Sequence, residues 1–194
     1  MNRKAFSLLS LFLLLLLPLK AQLNTRGEGL KSSIIQYEMI TDGNSIPMTQ
    51  YSDDYGNLLC MKMYMMGVEI ATITNKDTVY VLNYPQKSGV KYVRPESDIN
   101  YNDLTPEVIK KFNIKATGTV EFLNKKCTVY TAEFENEGLK VETTAWIYKG
   151  LLLKSVATYG DAKKVELVAT SIEENPEVSP ETFTVPEGFN IRNM

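Results

Sequence analysis

Past residue 33 the chain alternates. Apolar side chains recur at every second position through "SIIQYEMIT" (33–41), "LLCMKMYMMG" (58–67), "VEIATITN" (68–75) and "DTVYVLNYP" (77–85). A period of two puts successive side chains on opposite faces of a strand. The same pattern runs through 47–57, 88–95, 116–124, 125–134, 138–148, 151–160 and 162–174. Turn residues separate these runs: Asp53-Asp54 with Gly56, Gly67, Asn75-Lys76, Asn124-Lys125 and Lys149-Gly150. Lys149-Gly150 has glycine where a two-residue hairpin wants positive φ. Strands at such short, even spacing predict a mainly β protein of roughly ten or eleven strands.

Two stretches depart from the pattern. In "DLTPEVIKKFNI" (103–114) Thr105 is placed as a helix N-cap, Pro106 at the first helical position and Glu107 in the first turn. Val108, Ile109 and Phe112 share one side and Lys110 and Lys111 the other, which predicts a short amphipathic helix over 105–113. The C-terminal "VSPETFTVPEGF" (178–189) sets Phe183, Val185 and Phe189 among prolines and acids. Ser179 before Pro180 predicts a single capped helical turn. Three large apolar groups would stay wet in a loose tail, so the segment reads as a strap over one end and one open edge of a sheet.

The first 21 residues form a basic start (Arg3, Lys4), an apolar run from Phe6 to Leu17, then Pro18 and a small residue, Ala21. That is the layout of a secretory signal, too short to span a bilayer, which needs about 20 apolar residues. No cysteine follows closely enough to take a lipid. The expected products are a signal at 1–21 and one β domain at 22–194, exported to the periplasm or beyond, with no later membrane segment. The chain carries a formal net charge of −2. Losing Arg3, Lys4 and Lys20 makes it more acidic, so nothing electrostatic draws it to nucleic acid.

There is no histidine. This removes Ser-His-Asp and Cys-His catalysis and the commonest metal ligand, and argues for a protein that is not an enzyme. Two cysteines, Cys60 and Cys127, leave two readings open: a disulfide, or two buried thiols acting as small apolar groups. The run "DINYND" (98–103) lacks the glycine and glutamate of a calcium loop, and Asp53-Asp54 reads as turn residues capping their own backbone. The stretch Met61, Met63, Met65 and Met66 could offer sulfur to copper, but alternation puts Leu59, Met61, Met63 and Met65 on one strand face, the pattern of a pliable apolar wall. Trp146 lies in a strand with apolar residues on both sides, so its face is undecided. No cofactor or metal is expected.

The segments "KKCTVYTAEF" (125–134), "TTAWIYKGLLLKSVATYG" (143–160) and "ATSIEENPEVSPETFTVPEGFNI" (169–191), with the "YSDDYGN" turn at 51–57, resemble exported bacterial proteins of the lipoprotein-carrier (LolA/LolB-like) superfamily. The resemblance implies a curved antiparallel sheet, a half-barrel, enclosing one or two short helices, with a greasy concave side. The chain departs from the carriers in having one clear helix and in Gly27 and Gly29, which weaken a helix before residue 30. The expected function is a monomeric binding protein for an apolar or amphipathic ligand, a lipid or lipoprotein acyl chain. Met61, Met63, Met65, Val108, Ile109 and Phe112 would line its site, with Trp146 beside them. The alternative is an envelope structural or interaction module with a filled core.

Overall fold

The computed structural model describes residues 29–93, 99, 101, 104–136, 138–160 and 163–194. The expected signal and most of "DINYND" lie outside the described residues. The described chain folds into β1 (Ser33–Thr41), β2 (Asn44–Asp53), β3 (Leu58–Met65), β4 (Val68–Asn75), β5 (Thr78–Asn83), β6 (Ser88–Val93), α1 (Pro106–Lys111), β7 (Lys115–Phe122), β8 (Lys125–Asn136), β9 (Leu139–Tyr148), β10 (Leu151–Tyr159), β11 (Lys163–Glu174) and β12 (Asn190–Asn193). All twelve strands belong to one curved, unclosed sheet in the order β12-β6-β5-β4-β3-β2-β1-β11-β10-β9-β8-β7. The architecture is mainly β with one short helix, and the strand number exceeds the ten or eleven that alternation predicts.

The topology is two antiparallel meanders, β1 to β6 and β7 to β11, sewn together where β1 pairs with β11. Tight turns make the meanders possible. Met66-Gly67 and Lys149-Gly150 both carry positive φ at both positions, the backbone whose twist matches paired strands. Two predicted turns are displaced by one residue, to Lys76-Asp77 and Leu123-Asn124.

The pairing registers assign every side chain to a face. One face, here the inner face, carries Ile35, Tyr37 and Met39 of β1, Met48 and Gln50 of β2, and Leu59, Met61, Met63 and Met65 of β3. It continues with Leu167, Ala169 and Ile172 of β11 and Leu153 and Ala157 of β10. The largest apolar cluster lies here, around Ile35, Tyr37, Met39, Met48, Met63, Leu153 and Val165. Tyr37 is wholly buried and donates its hydroxyl to the Leu152 carbonyl. Burial alone drives its acidity far down.

Helix α1 begins as its sequence dictates: Thr105 Oγ1 accepts from the Val108 N–H at 3.3 Å. The far end is tied to β8, whose Glu133 N–H donates to the Phe112 carbonyl at 2.9 Å. Phe112, Ile114 and Ala132 form a second cluster with Val108, Leu104, Tyr130 and Phe134, and the rings of Phe112 and Phe134 meet edge to face at 5.1 Å.

The C-terminal strap serves the outer face. Asn175 takes a positive φ and turns the chain out of β11. The turn is fastened by Asn175 N–H to the Ser32 carbonyl at 2.9 Å and by Ser32 Oγ to the Pro176 carbonyl at 2.6 Å. Ser179 caps the short 3-10 turn at Pro180–Phe183, as expected. Phe183 then packs with Cys60, Ala71, Ile73 and Leu82, flanked by Val178, Val185, Phe189 and Ile191. The strap ends as β12, which pairs parallel to β6 and covers that edge. The other edge strand, β7, is exposed along nearly its whole length.

Candidate functional site

Across nine adjacent strands, from β6 to β9, the inner face carries only two charged residues among those described. They are Lys163 and Glu174, at opposite ends of β11. Both are answered. Lys163 reaches Asp42 at 3.9 Å. Glu174 accepts from Lys125, from Lys149 at 3.1 Å and from the Tyr148 hydroxyl at 3.2 Å. The hydrogen bond from Lys125, ahead of that from Lys149, holds the Glu174 carboxyl below the usual carboxylate range. Between these ends the face is apolar, hydroxyl or amide.

The outer face is its opposite. Lys140 pairs there with Glu142 at 2.7 Å and Glu133 at 3.3 Å, and Lys164 with Glu166 at 2.6 Å. Alternation has sorted the charges to one side of the ribbon and the methionines to the other.

The methionine stripe falls where alternation puts it. Met63 is buried in the main cluster, while Met61 and Met65 are half-buried at its margin, beside Ile70. Val108 and Phe112 belong instead to the helix cluster on β8, six strands along the sheet from β3. The expected lining residues are therefore divided between two clusters. Ile109 departs further, being 40% exposed. With only six residues in α1, the buried side centres on Val108 and Phe112 and leaves Ile109 at its rim. Trp146 has Val129 and Lys154 as its register partners and packs, half-buried, against the margin of the main cluster. Lys154 Nζ lies 5.0 Å from the Trp146 ring centroid, a cation over an aromatic face.

Cys60 and Cys127 are free and buried in different clusters, on β3 and β8, which are not neighbours. Of the two readings open in the sequence, the structure holds the buried thiols. Burial pushes the Cys60 thiol up to about 11. Asp53 and Asp54 cap their own turn: Asp53 Oδ1 accepts from the Asp54 N–H at 2.7 Å and Asp54 Oδ2 from the Asn57 amide at 3.1 Å. No group of three or more metal-ligating side chains occurs among the described residues.

One feature of the inner face is not visible from composition. Gln50 and Thr72 are the register partners of Met61, one strand to each side. They are 2% and 8% exposed. Thr72 Oγ1 is buried without a hydrogen-bond partner, whereas Ser33 and Ser52, further along the same face, satisfy each other at 2.7 Å. The signal was present in the sequence as polar residues at inward positions of an alternating strand, but only the register shows that they flank one methionine.

No family model and no curated protein matches the chain. Solved structures do. An uncharacterised conserved protein from Thermus thermophilus aligns at a TM-score of 0.59 with 9% identity, over 84% of this chain and 91% of that one. The Pseudomonas aeruginosa MucA/MucB complex aligns at 0.54 with 9% identity, over 91% of this chain and 60% of that one. These likenesses establish a shared fold. A Vibrio parahaemolyticus domain assigned as an outer membrane lipoprotein-sorting protein also matches, at 0.38 with 14% identity over 81% and 90%.

Proposed function

We propose that this chain is an exported, non-enzymatic binding protein that holds an apolar or amphipathic molecule against the inner face of its sheet. The observation that carries the reading is the charge-free stretch of that face, with half-buried Met61, Met65 and Ile70 at the margin of its packed core. A ligand there would be held by desolvation. At about 25 cal/mol per Å², burial of some 200 Å² of acyl chain would contribute about 5 kcal/mol. Flexible thioethers suit such a surface because they repack around chains of different shape. The binding surface would centre on Met61, Met65 and Ile70, with Met63 beneath them. Val108, Phe112 and the helix would brace the far part of the same face. Export rests on the signal-like residues 1–21, and the absence of histidine supports a role outside catalysis.

The test is uptake of an uncharged fluorescent probe, N-phenyl-1-naphthylamine, by the purified protein. The reading expects saturable fluorescence enhancement that Met61→Lys reduces at least tenfold while the fold is retained, because a lysine cannot be desolvated there. Absence of enhancement with the unsubstituted protein contradicts it.

A second reading is favoured by the exposed strand β7 and by the MucA/MucB likeness: an interaction module that receives a partner strand at its free edge. Under this reading the inner face is only a core. Probe uptake and a pull-down from envelope extracts separate the two.

A further inference from the structure

We infer that the ligand of the inner face carries an uncharged hydrogen-bonding group, read by Gln50 and Thr72 over Met61. This rests on the binding function proposed above and narrows its ligand to neutral amphipaths such as long-chain alcohols or acylglycerols. Three strands carry the argument. Gln50 on β2, Met61 on β3 and Thr72 on β4 are in direct register and share the inner face. Neighbouring strands lie about 4.8 Å apart, so the backbones of Gln50 and Thr72 stand about 10 Å from each other, with the thioether between them. Two polar side chains thus overlook one apolar floor.

Thr72 is expensive to leave as it is. Thr72 Oγ1 is buried with no partner, and Gln50, 2% exposed, brings an amide to the other side of Met61. A buried hydroxyl or amide without a partner costs free energy that a valine or leucine of similar shape would not. On this face the Ser33 and Ser52 hydroxyls satisfy each other, whereas Thr41 and Thr143, like Thr72, bury an unpartnered Oγ1; of these three, Thr72 is the one in register with half-buried Met61. A ligand hydroxyl or ester set between Gln50 and Thr72 would answer the Thr72 hydroxyl and could bond the Gln50 amide as well, because an amide offers donor and acceptor and a hydroxyl offers either. The nearest charged residues on the face are at the ends of β11, two strands from β2 and already paired, so a charged headgroup would find no counter-ion at Met61.

The experiment is displacement of bound N-phenyl-1-naphthylamine by 1-dodecanol and by 1-chlorododecane, which match in chain and differ in hydrogen bonding. The expected result is a preference of roughly fivefold for the alcohol, the scale of one net hydrogen bond. Thr72→Val and Gln50→Leu should each abolish that preference while leaving chlorododecane affinity within about twofold. Thr72→Ser, which keeps the hydroxyl, should retain it and shows that loss in the other variants is not misfolding. Equal displacement by both compounds overturns the inference and leaves the apolar-site reading standing. Displacement by neither overturns the apolar-site reading as well. A preference that persists in both Thr72→Val and Gln50→Leu assigns the polar readout to other residues and overturns the inference too.

Discussion

A Cβ placed on Gly89 would sit 2.6 Å from the carbonyl oxygen of Val81. It would also come within 3.0 Å of Ile191 Cδ1, in the strand that closes the β6 edge. Gly89 is therefore the residue that lets β12 lie beside β6 while the strap crosses the outer face. Gly89→Ala is expected to destabilise by about 2 kcal/mol or more, since the clash is with backbone. For a domain of this size that is a fall in Tm of roughly 4–8 °C. A calorimetric scan checks it.

The strap predicts a chemical phenotype. Phe183 covers the outer-face cluster that buries Cys60. Truncation to alanine should cost about 3–5 kcal/mol, the scale for a buried phenylalanine. Cys60 is protected twice, by burial and by a thiol pushed up to about 11, so it should react slowly with thiol reagents at neutral pH. In Phe183→Ala its labelling should accelerate at least tenfold, while Cys127, buried in the other cluster, stays slow. Peptide mapping after timed alkylation distinguishes the two.

Glu174 gathers three donors at the ends of β8, β9 and β11. A carboxyl held below its ordinary value of 4.5 contributes stability that is fully present above that value. The contribution disappears as the pH falls through the folded value. Acid should therefore weaken the fold below about pH 4.5, and Glu174→Gln should flatten that part of the profile. The loss at neutral pH should be about 1 kcal/mol, discounted for partial exposure and smaller in high salt. Denaturant melts between pH 3 and pH 7 measure both.

Thr72→Val should raise stability. Valine matches threonine in shape and removes a buried hydroxyl that has no partner. A gain of about 1 kcal/mol is expected in ligand-free protein, read as a higher urea midpoint at unchanged slope. A loss of similar size would mean that Thr72 is satisfied in solution.

Much of this was legible in the sequence because the inner and outer faces differ so sharply in charge. Eleven strands announce themselves by alternation, and Thr105 and Ser179 mark their caps as local chemistry requires. β12 was not legible: four residues, Asn190–Asn193, show no apolar alternation, and they pair only because the strap delivers them to β6. Trp146 could not be placed because its strand is apolar on both sides, and its packing against the main cluster emerges only in the fold. Ile109 is 40% exposed because a six-residue helix buries a narrower stripe than its pattern suggests. The methionine wall was readable, but the Gln50–Met61–Thr72 row was not. Pairing between strands 11 residues apart in sequence is a tertiary fact that no window of the sequence contains.

The proposed occupant of the charge-free stretch of the inner face, between Lys163 and Glu174, is a neutral amphipathic molecule. Solvent extraction of the protein purified from the envelope of its native host, followed by mass spectrometry, tests it most directly. The account predicts an uncharged, hydroxyl- or ester-bearing lipid at about one molecule per chain, greatly diminished in Met61→Lys. Recovery of no lipid, or of equal lipid from Met61→Lys, would contradict it.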